Sequence, residues 1–213
     1  MKEYYDRRAA EFDDWYLTRG LFEGRDRPGW DEELAQLVEV VGDLTPAHVL
    51  DAACGTGFLT RCHKGTVVGL DQSEAMLEIA RGRAPRALFV RADALALPFP
   101  DSSFDRVFTG HFYGHLEPEA RARFLSEVRW VAPELVVVDA GVRGGAPRDE
   151  WQERRLNDGS RHPLFKRFFT GESLAAELGG GRVLHEGTWF VVVASTAGPA
   201  QVRSPAGREG WGE

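Results

Sequence analysis

Two carboxylates and two glycines, placed at the ends of consecutive apolar runs, carry the first chemical signal in this chain. Val49-Leu50-Asp51-Ala52-Ala53-Cys54-Gly55-Thr56-Gly57 reads as a buried strand that breaks into a glycine turn. Glycine tolerates positive φ and, lacking a Cβ, lets the backbone approach a ligand closely. The next apolar run, Thr66-Val67-Val68-Gly69-Leu70, ends on Asp71. Consecutive strands that bring first a glycine turn and then an acid to one sheet edge have the layout of a nucleotide-type ribose site. Asp51 adds a second acid near the end of the first strand.

To hold those groups, the chain must alternate strands and helices. Strands are expected at His48–Ala53, Thr66–Asp71, Ala87–Arg91, Phe104–Gly110 and Glu134–Ala140. Between them fall a short helix from Gly57 to about His63, a helix Glu74–Arg81 with Ser73 as N-cap, and a helix Glu117–Val131 with Pro118 in its first turn. Upstream, Leu34, Leu37, Val38 and Val41 form one stripe of a helix over Asp31–Val41. Thr170 caps a further helix through Leu178. Arg182–Glu186 and Trp189–Ser195 are joined too tightly for a crossover and must form an antiparallel hairpin. The expected fold is α/β: a Rossmann-like, seven-stranded, mostly parallel sheet with helices on both faces and an antiparallel C-terminal strand.

One domain over 1–196 is expected from 213 residues. Residues 1–30 form an aromatic helical cap, 141–169 an insertion or lid, and 197–213 a disordered Gly/Pro/Ser-rich tail. Connections as long as the insertion are functional or contain a local helix, for which Glu150–Leu156 is the candidate. The net charge of −7 argues against a nucleic-acid partner, and Arg154, Arg155, Arg161, Lys166 and Arg167 read as a solvated charged face. No apolar run spans a bilayer and no secretory leader opens the chain, so the cytosol is the expected compartment. Cys54, Cys62 and His63 lack zinc spacing, and no metal is expected.

Taken in order, three segments resemble the motifs of class I S-adenosylmethionine (SAM)-dependent methyltransferases. They are Val49–Gly57, Val67–Leu77 and Arg91–Asp105, followed by Glu127-Val128-Arg129 and the strand Leu135–Asp139. The resemblance implies that SAM is the cofactor and that Asp71 accepts hydrogen bonds from both ribose hydroxyls. It implies that Ala53, Gly55 and Gly57 line the ribose and methionine portions, and that Asp51 helps hold the methionine ammonium. Asp93 and the Ala94 amide would read the adenine, flanked by Gln72 and Met76, with His111 and Phe112 along the sulfonium end. Tyr5 and Tyr16, with Tyr4 and Trp15, would close over SAM from the N-terminal side. A nicotinamide fingerprint wants a third glycine where this chain has Thr60, which disfavours an oxidoreductase.

The implied reaction moves a methyl that the sulfonium already activates, so aligning the acceptor and excluding water are the protein's main tasks. A poorly ionised acceptor also needs a base, and His115, just beyond the fourth strand, is the candidate. Tyr113, Trp151, Arg155 and His162 are the acceptor-side candidates, Trp151 and Arg155 lying one helical turn apart if the insertion is helical. A small-molecule acceptor is expected. The competing reading from a different class is a SAM-binding regulatory module that no longer transfers methyl groups.

Overall fold

Alternating burial along the apolar runs builds a sheet with a core on each side. The computed structural model describes residues 2–144 and 148–196; the tail expected to be disordered lies outside them. The N-terminal cap comprises α1 (Lys2–Arg8), a 3-10 turn (Ala9–Glu11) and α2 (Asp14–Leu17), followed by α3 (Trp30–Gly42). The central alternation is β1 (Ala47–Ala52), β2 (Gly65–Asp71), α4 (Glu74–Arg83), β3 (Leu88–Arg91), β4 (Arg106–Gly110), α5 (Pro118–Val131) and β5 (Glu134–Ala140). There follow β6 (Asp149–Arg155), β7 (Arg161–Arg167), α6 (Gly171–Glu177), β8 (Arg182–Glu186) and β9 (Phe190–Thr196).

The seven-stranded sheet has the order β3-β2-β1-β4-β5-β9-β8. β1 to β5 pair in parallel, while β9 runs antiparallel to both β5 and β8. Side chains alternate across each strand. Leu50, Val107, Leu135 and Val137 face one core with Phe124, Val128 and Leu174 of α5 and α6. Val49, Phe108, Val136 and Val138 face the other, with Leu37 and Val41 of α3. The fold is therefore the expected α/β sheet with helices on both faces. Ser73 caps α4 by accepting from the Met76 N–H at 3.3 Å, as expected. Among the described residues, no helix is long and apolar enough to cross a membrane.

Two elements differ from expectation. The helix expected from Gly57 to His63 is only a 3-10 turn over Thr60–Cys62. Gly57 lies at φ +74°, outside helical space, and His63 has already returned to extended backbone, leaving no room for successive α-helical hydrogen bonds. The helix expected over Glu150–Leu156 is strand β6, which pairs antiparallel with β7 as a separate two-stranded hairpin. The turn residues Asn157-Asp158-Gly159 fold the chain back there, Gly159 at φ +85°. Exposure alternates along Asp149–Arg155 with a period of two.

Candidate active site

In an open parallel sheet, ligands bind beyond the carboxyl ends of the strands where the strand order reverses. Here that point lies between β1 and β4, and a cavity of about 610 Å³ opens over it. Its floor comes from the ends of four strands: Ala53 and Gly55 after β1, Asp71 on β2, Asp93 after β3, and Gly110 and His111 from β4. Ala53 and His111 both hold the left-handed conformation, at φ +58° and +57°, which is uncommon for residues with a Cβ.

Asp71 accepts one backbone N–H on each oxygen, from Gly55 and from Ser73, both at 2.9 Å. A carboxylate offers about four lone-pair sites. The Gln72 N–H also acts on the carboxylate, and acceptor capacity remains beyond these N–H groups for a hydroxyl donor. Burial pushes the Asp71 carboxyl upward while those N–H bonds pull it back down. Asp93 accepts the Leu95 N–H through Oδ1 at 2.8 Å, so the expected adenine reader also folds its own loop. Gln72, Met76, Ala94 and Phe112 stand in the wall, with Leu70, Leu95 and Leu116 supplying its apolar part.

Two residues of the glycine segment stand away from this cavity. A Cβ on Gly57 would lie 3.2 Å from Cα and Cβ of Ala80, so its bareness serves the packing of the turn against α4. Asp51 is 2% exposed and borders a small adjoining recess of about 20 Å³ with Ala53, Gly55 and Tyr16. The Thr60 hydroxyl, occupying the place of the third glycine, donates to Asp51 at 2.6 Å. Burial, against that hydrogen bond, pushes the Asp51 carboxyl up to about 7.

The N-terminal cap closes one side. Tyr5, Phe12, Trp15 and Tyr16 line the cavity, Tyr16 stacked on Phe58 with ring centroids 4.0 Å apart. Tyr4 lies behind them, packed with Leu156 and Leu164. Asp13 ties the cap to the glycine turn, accepting from Thr56 Oγ1 at 2.6 Å and pairing with Arg83.

The β6–β7 hairpin closes the other side. Its inward face carries Glu150, Gln152, Arg154 and Lys166, all in the cavity wall. The residues expected to be a solvated charged face are thus divided. Lys166 is 4% exposed and pairs at 2.6 Å with Asp139, itself wholly buried at the end of β5. Asp139 also accepts the Gly114 N–H at 2.7 Å. Arg155 falls on the outward face of β6, away from the cavity, and Trp151, though at the rim, is 63% exposed. His162 packs on Tyr4 and bonds Ser160, outside the wall, and Tyr113 is buried against Phe124 and Phe169.

His111 is boxed by Trp15, Tyr16 and Phe190, and its Nε2 is buried without a partner. Burial pushes its pKa down to about 4. His115 lies in the wall with Nδ1 2.8 Å from the Phe165 carbonyl. A carbonyl only accepts, so Nδ1 carries the hydrogen and Nε2 the lone pair. Burial, then the charge of Lys166, hold His115 well below the usual histidine range. Both rings are neutral at pH 7. Arg8, Arg27, Gln152 and Arg154 are wall residues that sequence reasoning missed; for the two on β6 the available signal was the turn Asn157-Asp158-Gly159, which marks a hairpin.

Comparison with known proteins agrees with this geometry. Residues 49–133 match the family model described as a methyltransferase domain. The chain is 37% identical over 132 residues to the demethylmenaquinone methyltransferase of Thermotoga maritima, covering 60% of this chain and 54% of that protein. It is 41% identical over 96 residues to the phthiotriol/phenolphthiotriol dimycocerosates methyltransferase of Mycobacterium tuberculosis, covering 40% and 34%. The chain thus spans about half the length, or less, of these curated relatives. Solved structures of DhpI superpose over 90% of the chain at 25% identity. The complex with SAH gives a TM-score of 0.70 over 92% of DhpI, and the complex with SAM and HEP gives 0.71 over 94%. Strand order, motif order and these likenesses agree that the chain carries a class I SAM-dependent methyltransferase domain.

Proposed function

We propose that this chain binds SAM and transfers its methyl group to a small-molecule acceptor in the cytoplasm. The observation that carries this reading is Asp71: a largely buried carboxylate at the end of β2, held by backbone N–H groups, with acceptor capacity left and facing the cavity. SAM, when bound, supplies a methyl already activated by a positively charged sulfonium. The residues present fit it: a diol-accepting acid, a second acid after β3, an apolar slot around Met76, and aromatic faces from the cap, which attract cations.

What the chain itself contributes is enclosure and alignment. The cap and the hairpin wall the strand ends on two sides. The His115 Nε2 lone pair is the acceptor-side proton site, and the low proton affinity of that ring makes it a weak base. Size supports a small acceptor, since about 610 Å³ falls within the ~300–1,000 Å³ of small-molecule pockets. On the hairpin's outer face Arg161 pairs with Glu153 and Arg167 with Asp149, so most of the positive charge there is already compensated.

Calorimetric titration with SAM and SAH tests the reading. Both are expected to bind, and Asp71→Ala is expected to weaken them by about 100-fold or more, the worth of two charge-assisted hydrogen bonds. Absence of binding by either ligand would refute it. Methyl transfer to any compound in an acceptor screen would eliminate the non-catalytic alternative.

A further inference from the structure

The cofactor reading leaves one part of the cavity wall unexplained, the guanidinium groups of Arg27, Arg143 and Arg154. Resting on the methyltransferase reading, we propose that the methyl acceptor is a small molecule bearing an oxyanion group, a carboxylate or a phosphate-type acid, held by Arg154 and Arg27.

Arg154 projects from the inward face of β6, and its Nε is buried without a hydrogen-bond partner. Arg27 approaches from the cap side, stacked 4.3 Å over the Trp30 ring and donating to the Trp15 carbonyl at 2.9 Å. Arg143, at the rim, lies 5.1 Å over Trp189. Stacking occupies the face of a guanidinium and leaves its N–H edge available, the fork that matches carboxylate and phosphate oxygens. None of the ion pairs among the described residues involves Arg27, Arg143 or Arg154.

These charges repel one another. Burial, then the charges of Arg25, Arg143 and Arg154, pull Arg27 down to about 10. An anion placed among them relieves both the repulsion and the unmade hydrogen bonds. The acids nearby do not serve: Glu150 is bonded to the Gln152 amide, Glu153 pairs with Arg161 at 2.7 Å, and Asp26 is exposed at the rim. A neutral, apolar acceptor would leave the guanidinium edges without partners.

The test uses the full chain saturated with SAH, titrated with benzoate, phenyl phosphate and benzamide, and read by tryptophan fluorescence, since Trp15, Trp30 and Trp189 line the cavity. At least one anion is expected to bind saturably, roughly 10- to 100-fold tighter than benzamide, the worth of one charge-assisted hydrogen bond. Which anion wins distinguishes carboxylate from phosphate chemistry. Arg154→Met and, separately, Arg27→Gln should erase the preference while calorimetry shows SAH binding unchanged. Benzamide binding as tightly as both anions, or a preference that survives Arg154→Met, would overturn the proposal. Loss of SAH binding in the wild-type chain would count against the cofactor reading instead, and the same titrations without SAH still decide the anion question.

Discussion

Asp51 predicts a pH dependence whose size and sign can be worked out. Its carboxyl sits near 7 in the folded chain, raised by burial from the ordinary aspartate value of 3.8, and it is 2% exposed, so solvent screens it little. A shift of about three pH units corresponds to roughly 4 kcal/mol. Because the folded value lies above the unfolded one, the folded state holds the proton more tightly. The associated stability is therefore full below about pH 4 and is lost as pH rises through about 7, with a slope near 1.4 kcal/mol per unit. Asp51→Asn keeps the shape and removes the titration.

The assay is urea denaturation from pH 4 to 8, comparing the wild-type chain with Asp51→Asn. Subtracting one curve from the other cancels His63, His111 and His115, whose pKa values are lowered and whose contributions run the opposite way. The difference should grow in favour of the asparagine variant by about 3 kcal/mol between pH 5 and 8. SAM binding supplies a second readout. An ammonium seated in the recess that Asp51 borders would favour the ionised form, so with that placement wild-type affinity should strengthen with pH up to about 7 with proton release, and the variant should not. Parallel stability curves would refute the reasoning, because they would mean that Asp51 is already ionised at pH 5.

Two further predictions concern packing. Lys166→Met leaves the wholly buried Asp139 without its cation and should cost about 3–5 kcal/mol in denaturant unfolding; a loss below about 1 kcal/mol would contradict the pairing. Gly57→Ala combines a Cβ at 3.2 Å from Ala80 with a φ of +74°, and should cost about 2 kcal/mol, lowering the thermal midpoint by roughly 4–8 °C.

The sheet was legible because β1, β2, β4 and β5 are buried on both faces and read as unbroken apolar runs, punctuated by Gly55, Asp71 and Gly110. The floor of the cavity followed from it, since strand ends place Asp71, Asp93 and His111 without reference to any side-chain contact. The β6–β7 hairpin was not legible in the same way. Asp149–Arg155 is polar apart from Trp151, so neither helical nor strand period is marked by apolar residues, and the signal lay in Asn157-Asp158-Gly159. Reading that segment as a helix favoured Trp151 and Arg155 and passed over Arg154, one residue out of phase. Asp51 and Gly57 show a different limit. Their spacing locates the glycine segment, but only packing against Thr60 and Ala80 shows what each one touches.

The tie between Asp13, Thr56 and Arg83 has a kinetic consequence. It fastens the first residues of the chain to the same turn that carries Gly55, so uncovering the cavity and loosening that turn are a single event. Weakening the clasp, as in Asp13→Asn, is therefore expected to speed exchange of whatever occupies the cavity, measured by stopped-flow release. The clasp is an ion pair only partly sheltered from solvent, so that same exchange should quicken as ionic strength rises.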